Sequence, residues 1–396
     1  MTKEKIPKQV YVLGFVSLFN DIASEMLYPV LPIFLTQVLG APVFVIGIME
    51  GIAEGTSSIL KTFFGYLSDK LNRRKPFVFG GYGLSAISKI MIAVSNSWGL
   101  VFAGRVTDRL GKGVRTASRD AMLLGYSNKK NRGLVFGVHR SMDSAGAFIG
   151  PLIGLLLLSV FNTPLRTILL AAAIPSVLGL FLFLFVKEVK APVTTVRKLT
   201  IWASIKGFSK DFKLFLIGLA LFSLGNSSDT FLILKSKQIG LSITIIILAY
   251  VLYNACYSLF STPAGIIADK IGAMKVFMIG LLLYALVYCG FALNTSEIGV
   301  FALFAVYGFY IAMTDGVAKS LVGSFVTQEQ SGTAYGLVQT VMGLSTLAAS
   351  IVGGFIWSLI SPSATFYFGA LCAALSFVFF IICFGKKTAK QVQVKL

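Results

Sequence analysis

The sequence predicts an all-α membrane protein with twelve transmembrane helices arranged as two six-helix halves, and three observations carry that expectation. Of the 396 residues 56% are hydrophobic and only 13% charged, against about 25% charged in an ordinary soluble domain. Such a chain cannot dress a water-facing surface. Its apolar stretches recur at lengths near the roughly 20 residues that a helix needs to cross the hydrocarbon, and together they leave no room for a soluble domain. The chain also echoes itself at a displacement close to half its length.

The apolar segments fall near 10–36, 43–67, 76–95, 98–118, 134–158, 164–186, 212–234, 242–263, 274–293, 298–320, 333–357 and 363–384. The first follows a basic start but contains Asp21 and Glu25 and has no small-residue cleavage site, so it reads as a span and not as a removed signal. The connections between segments alternate in charge. QVLGAP at 37–42, SNS at 95–97 and the turn near 361 carry none. The intervening ones carry Lys70, Arg73, Arg74 and Lys75, then Lys129, Lys130 and Arg132, then the basic stretch 187–213, then Lys270 and Lys275. Both ends of the chain are basic too, with Lys3, Lys5 and Lys8 at one and Lys386, Lys387 and Lys390 at the other. Basic loops stay on the cytoplasmic side, which places both termini in the cytoplasm and makes the number of spans even. Arg166, Lys235 and Lys237 fall near outer ends but are outnumbered.

The formal charge of +19 therefore reads as orientation in a bacterial inner (plasma) membrane, and nucleic acid is not an expected partner. For the stretch 187–213 two readings stand together, contact with anionic lipid heads and a solvated linker. Cys256, Cys289, Cys372 and Cys383 sit in apolar stretches without metal-ligand spacing. No metal and no cofactor are expected.

The internal echo has three parts. GYLSDKLNRRK at 65–75 returns as GIIADKIGAMK at 265–275, pairing Gly65 with Gly265 and Asp69-Lys70 with Asp269-Lys270. Thr107-Asp108 followed by Lys112 returns as Thr314-Asp315 followed by Lys319, and Gly133/Gly137 returns as Gly332/Gly336. Displacements of this size fit two related bundles, 1–190 and 212–396, joined by a cytoplasmic linker at 191–211, the plan of a transporter whose halves rock about a central site.

The loop at 65–75 also carries a family resemblance. It is similar to the signature Gly-x-x-x-Asp-Arg/Lys-x-Gly-Arg-Arg/Lys of the major facilitator superfamily, matched here by Gly65, Asp69, Lys70, Arg73 and Arg74, with Asn72 where the family usually has Gly. The second copy keeps Gly265, Asp269, Lys270 and Gly272 and lacks the trailing basic pair. The resemblance implies twelve-helix secondary transport and a conformational latch built on Gly65, Asp69, Arg73, Arg74 and Asp269. Segments FNDIASEMLYPVLPIFL and DRLGKGVRTASRD further resemble a poorly characterised bacterial branch of that superfamily, whose members are suspected drug exporters or carriers of metabolites and siderophores. A second pattern, associated in the family with proton-coupled exporters, is met by Gly137, Gly146, Gly150, Pro151 and Gly154, with Leu155 in place of its last Gly. Gly146, Gly150 and Gly154 share one helical face, where missing side chains allow close helix approach, and Pro151 removes a backbone hydrogen bond. Ordinary small-residue packing is the alternative reading of the same face, and the antiport reading is preferred to it.

Half of the 16 acidic residues lie inside the expected spans: Asp21, Glu25, Glu50, Glu54, Asp108, Asp143, Asp229 and Asp315. A charge at mid-bilayer costs about 2.5 to 3.5 kcal/mol even on a lenient scale, so these side chains must face a cavity or one another. Asp21 and Glu25 are one turn apart, as are Glu50 and Glu54, and paired carboxylates favour protonating one member. In the fourth span Arg105, Asp108, Lys112, Arg115 and Arg119 form one stripe, with Arg109 beside it. For the deep members a role in transport is expected; for Arg115 and Arg119 a static network is the preferred reading. His139, the one histidine, stands one turn before Asp143, and proton coupling, substrate contact and a local ion-pair network are all open to it.

Asp21, Glu25, Asp143 and His139 are thus the proton-coupling candidates. Substrate-binding candidates are Glu50, Glu54, Arg105, Asp108, Arg109 and Lys112 in the first half and Asn226, Asp229, Tyr253, Asn254 and Asp315 in the second. The expected activity is transport of a small organic molecule by a monomer, with proton-coupled efflux or antiport ahead of proton symport of an anionic metabolite or siderophore. An enzyme is not expected, since one His and scattered Cys supply no catalytic constellation, and the phosphate-binding loop of an ATP-driven pump is absent from the sequence.

Overall fold

A computed structural model describes residues 6–71, 73–127, 132–188, 207–326 and 331–393, which are helical apart from short connections. Helix α1 spans Lys8–Leu27 and continues, after a bend, through Leu31–Ile33 and a π-helical turn at Phe34–Val38. Pro29 and Pro32 fall in this bend, and each lacks the backbone donor that a regular helix would use. There follow α2 (Val43–Leu71), α3 (Lys75–Ala93), α4 (Trp98–Tyr126), α5 (Arg132–Ser159), α6 (Leu165–Ala171) and α7 (Ala173–Phe183). Beyond residue 206 come α8 (Lys210–Ser223), α9 (Thr230–Gln238), α10 (Ile243–Ile271), α11 (Ala273–Leu293), α12 (Glu297–Phe325), α13 (Ser331–Leu359) and α14 (Pro362–Gln393).

Several starts have a visible local cause. Ser97, Ser209, Ser242 and Ser296 each cap a helix, the hydroxyl accepting from the backbone N–H three residues on at 3.1 to 3.4 Å, which satisfies a donor with no intrahelical partner. Gly272, at φ 101°, makes the turn from α10 into α11, a backbone conformation that side chains resist. Its counterpart in the first repeat, Asn72, lies outside the described residues.

The chain divides into two compact units, one of Met1–Ala41 with Ile52–Val196 and the other of Pro42–Gly51 with Arg197–Leu396. In the first unit α1 packs on α5 and α7, and α3 packs on α4. At the end of α7, Glu188 accepts from the backbone N–H groups of Arg74 and Lys75 at 3.1 and 3.0 Å, and the Lys187 N–H donates to Gln9 at 2.9 Å. The Tyr126 hydroxyl donates to the Lys187 carbonyl. Burial, with Glu188 beside it, pushes that phenol up to about 12, so it holds its proton at neutral pH. In the second unit α10 packs on α12, and α11 packs on α12 and α14.

Among the described residues ten helical stretches are long and apolar enough to cross a membrane. Segments at 98–118 and 212–234, which the sequence also marks as spans, are not among them. The first, α4, carries five Lys and Arg residues together with Asp108 and Asp120 in the helix body and is too polar. The second is broken: α8 stops at Ser223 and α9 starts at Thr230. Large apolar side chains such as Phe161, Phe181, Leu259 and Ile382 are more than half exposed on the outside of the units, as lipid-facing surface requires.

Candidate functional site

In the first unit the polar residues are placed by a close approach of α1 and α5. A Cβ added at Gly146 would lie 2.6 Å from the Leu18 carbonyl oxygen and 3.0 Å from the Asp21 Cβ. One added at Gly150 would lie 2.7 Å from the Ile22 carbonyl oxygen and 2.9 Å from the Glu25 Cβ, whereas at Gly154 the nearest atom, the Met26 carbonyl oxygen, is 3.4 Å away. The glycine face therefore seats α5 on the turns of α1 that carry Asp21 and Glu25. Pro151 leaves α5 a continuous helix.

Next to this seam lies a cluster of charge. Asp143 of α5 stands 3.6 Å from the His139 Nδ1 and 3.9 Å from the Arg119 guanidinium of α4. Arg119 also pairs with Asp120 at 3.0 Å and donates to the Ser17 hydroxyl of α1 at 3.1 Å. The charged groups acting on Asp21 are Asp143, Arg115, Arg119 and Lys112. Two buried atoms here, His139 Nε2 and Asp143 Oδ1, have no hydrogen-bond partner among the described residues. Arg115, one turn before Arg119 in α4, donates to the Ser85 hydroxyl at 2.5 Å and lies over the Tyr82 ring at 4.8 Å.

Asp108 is held by a residue that the sequence reading did not single out. Lys89 of α3, 2% exposed, places its Nζ 2.6 Å from Asp108 Oδ1 and 3.1 Å from the Ser24 hydroxyl of α1, so one ammonium ties three helices together. Ser88 adds a hydroxyl at 3.4 Å and Arg105 a guanidinium at 4.0 Å. Arg105 lies over the Tyr28 ring at 5.5 Å, beside the bend in the first helix. Arg109 faces Glu54 at 3.8 Å, and Lys112, Lys61 and Arg105 act on the same carboxylate. Glu50, one turn before Glu54, belongs to the other unit, where it acts on Asp229.

Asp229 is the centre of the second unit's polar cluster and closes the break between α8 and α9. The break is written in Gly225, Asn226, Ser227 and Ser228, a glycine and three short polar side chains that compete with helical hydrogen bonds. Neighbouring helices take up the freed backbone groups: the Tyr284 hydroxyl donates to the Gly225 carbonyl at 2.8 Å, and the Ser228 N–H donates to Ser350 at 3.2 Å. Unwound backbone at membrane depth persists only where protein or a cavity serves it. The Asp229 carboxylate accepts from Tyr307 of α12 at 2.6 Å and from Tyr253 of α10 at 3.4 Å. The Tyr253 and Tyr307 rings lie 5.4 Å apart, and Tyr284, Tyr288 and Tyr310 continue the same aromatic cluster.

The remaining candidates are dispersed. Asn254 donates to the Tyr250 carbonyl of its own helix at 3.1 Å, and Asn226 is half-buried in the break. Asp315, the sequence echo of Asp108, has its side chain 39% exposed, paired with Lys319 at 3.0 Å and with the Tyr257 hydroxyl at 3.2 Å. Of the latch residues, Gly65 seats its helix on Ala117, Arg73 is exposed, and Arg74 donates to the Ala121 carbonyl at 3.3 Å. The side chains of Asp69 and Asp269 lie outside the described residues. No cluster of three or more metal-ligating side chains occurs among the described residues.

Comparison with known proteins gives the same architecture. The family model of the Major Facilitator Superfamily matches twice, over residues 13–236 and 215–395. An uncharacterized MFS-type transporter of Methanocaldococcus jannaschii is 39% identical over 380 residues, covering 94% of each chain. The multidrug resistance protein MdtG of Proteus mirabilis is 23% identical over 391 residues, covering 95% of this chain and 96% of its own. Among solved structures, the nucleoside transporter NupG superposes with a TM-score of 0.76 at 16% identity, covering 94% of this chain and 98% of that one. A POT family transporter in complex with 5-aminolevulinic acid gives 0.79 at 14% identity, covering 96% and 97%. These two likenesses concern the fold alone. With a membrane-spanning all-α fold, charged clusters held inside it and a family model matched over almost its full length, the chain belongs to the Major Facilitator Superfamily: it is a multi-pass secondary transporter of a small molecule, not an enzyme.

Proposed function

We propose that the protein exports a small organic molecule in exchange for protons, by alternating access between two six-helix halves. The observation that carries this reading is the cluster of Asp21, Asp143, His139 and Arg119 at the glycine seam of α1 and α5. Two carboxylates there share one arginine. A carboxylate that leaves the guanidinium is left in a low dielectric and takes a proton; one that regains it releases the proton. Glu25 lies on the same seam, one turn further. The substrate-binding groups assigned on this reading are Glu50, Glu54, Arg105, Asp108, Arg109 and Lys112 of the first half and Asn226, Asp229, Tyr253, Asn254 and Asp315 of the second. A relative named as a multidrug resistance protein supports the direction of transport.

The reading requires twelve crossings, the ten apolar stretches together with α4 and the broken pair α8–α9. Their absence from the apolar set has a function: a polar stripe and an unwound centre are what a transport path is built from. Gly65, Asp69, Arg73, Arg74 and Asp269 serve as the cytoplasmic latch. Alternate basic connections place both termini in the cytoplasm, in the plasma membrane of a prokaryote, and the working unit is a monomer.

The test is internal pH in liposomes holding the purified protein under an imposed proton gradient, while cationic drugs and organic anions are added outside. Proton exit as a cation enters is the expected result, and Asp143→Asn should remove it. Retention of proton-driven transport by Asp143→Asn would refute the role of that carboxylate. The basic stripe of α4 favours a second reading, proton symport of an anion, for which internal acidification on anion entry is the signature.

A further inference from the structure

We propose that the cargo is recognised through a cationic group, an ammonium or a planar aromatic cation, seated against Asp229 among the rings of Tyr253 and Tyr307. The inference rests on the transporter reading and names its substrate class. Asp229 is half-buried, and both carboxylate oxygens accept from phenols. Although it precedes the first residue of α9, its side chain makes no capping hydrogen bond there. The carboxylate is turned toward the tyrosines, and the bland role of a helix cap does not account for it.

Its electrostatic surroundings are one-sided. Two phenols donate to it, and the charged side chain that acts on Asp229 is another carboxylate, Glu50. Among the described residues no lysine or arginine pairs with Asp229, whereas Asp108, Glu54, Asp143 and Asp315 each have a basic partner within 4.0 Å. Even a half-buried carboxylate in an apolar bundle is costly without a counter-ion, and a cation arriving from outside the protein relieves that cost. The walls suit it: aromatic faces attract cations, and Tyr250, Tyr253 and Tyr307 form a continuous run with centroids 5.3 and 5.4 Å apart.

The experiment is equilibrium binding of tritiated 1-methyl-4-phenylpyridinium and tetraphenylphosphonium to the full chain in nanodiscs, with benzoate as the anionic comparison and empty nanodiscs as background. Wild type should bind at least one cation, Asp229→Asn should weaken it tenfold or more, Asp229→Glu should recover part of the loss, and Tyr307→Phe should weaken it severalfold. Monodispersity and a cooperative melt certify each variant; if Asp229→Asn fails them, Tyr307→Phe decides. Cation binding that is unchanged in the folded variant would overturn the proposal, as would the absence of cation binding by folded wild type. Asp229-dependent binding in a protein that moves no protons in liposomes would uphold this site and remove proton exchange. Proton movement driven by benzoate alone, without cation binding, would overturn this site and favour anion symport over proton exchange.

Discussion

Lys89 shows what a single buried charge does in this fold. Its ammonium bonds Asp108 and Ser24, so removing it strands a carboxylate with side-chain exposure of only 6%. Loss of one partner of such a pair costs about 3 to 5 kcal/mol, whereas replacing both with apolar groups is often neutral. Lys89→Met should therefore lower the melting temperature in detergent sharply, and Lys89→Met with Asp108→Leu should restore most of it. Recovery of stability without recovery of transport would separate the strut from the transport path. The acidic half of this network was legible in the sequence because carboxylates inside apolar runs stand out. Lys89 carried the same signal, a lone lysine deep in the segment 76–95, and Tyr307 carried a weaker one, since a tyrosine in an apolar span fits packing as well as it fits a carboxylate. Which acid meets which base was not legible: Arg109 turns to Glu54 and Asp108 to Lys89, and rotation of helices about their axes decides such pairings.

At the scale of elements, the glycine face of α5 behaves as a seam whose tolerance can be graded. A methyl at Gly146 or Gly150 meets backbone oxygens at 2.6 and 2.7 Å, while at Gly154 the nearest atom is at 3.4 Å. Overpacking of this kind costs about 1 to 3 kcal/mol. Gly146→Ala and Gly150→Ala should each lose stability and transport in the liposome assay, and Gly154→Ala should retain both. The seam was visible in the sequence as a spacing of four; its partner was not, because nothing in α5 names α1. Helix ends were read too short, at 118 where α4 runs to Tyr126 and at 67 where α2 runs to Leu71. An apolar run ends where the hydrocarbon ends, and a helix continues into water on its own hydrogen bonds. The break at 224–229 was hidden for the opposite reason, because Leu224 and the apolar residues after Asp229 keep the composition membrane-like.

Across the whole molecule the two repeats have kept positions and changed their chemistry. Asp108 is buried on Lys89, while its echo Asp315 is partly exposed on Lys319 and Tyr257. Near residue 28 the first repeat bends beside an arginine-capped tyrosine, and near residue 228 the second unwinds beside an aspartate among phenols. Repetition in the sequence thus marks equivalent positions and not the division of labour. The seam of α1 and α5 has one more consequence. Leu18, Ile22 and Met26 meet Gly146, Gly150 and Gly154 in ascending order, so the two helices run parallel and are locked backbone to backbone. They must swing as one lever: spin labels at Phe15 and Leu156, both on exposed faces, should keep a single separation in pulsed electron double resonance at every stage of the transport cycle, and Gly150→Ala should split that one distance into several.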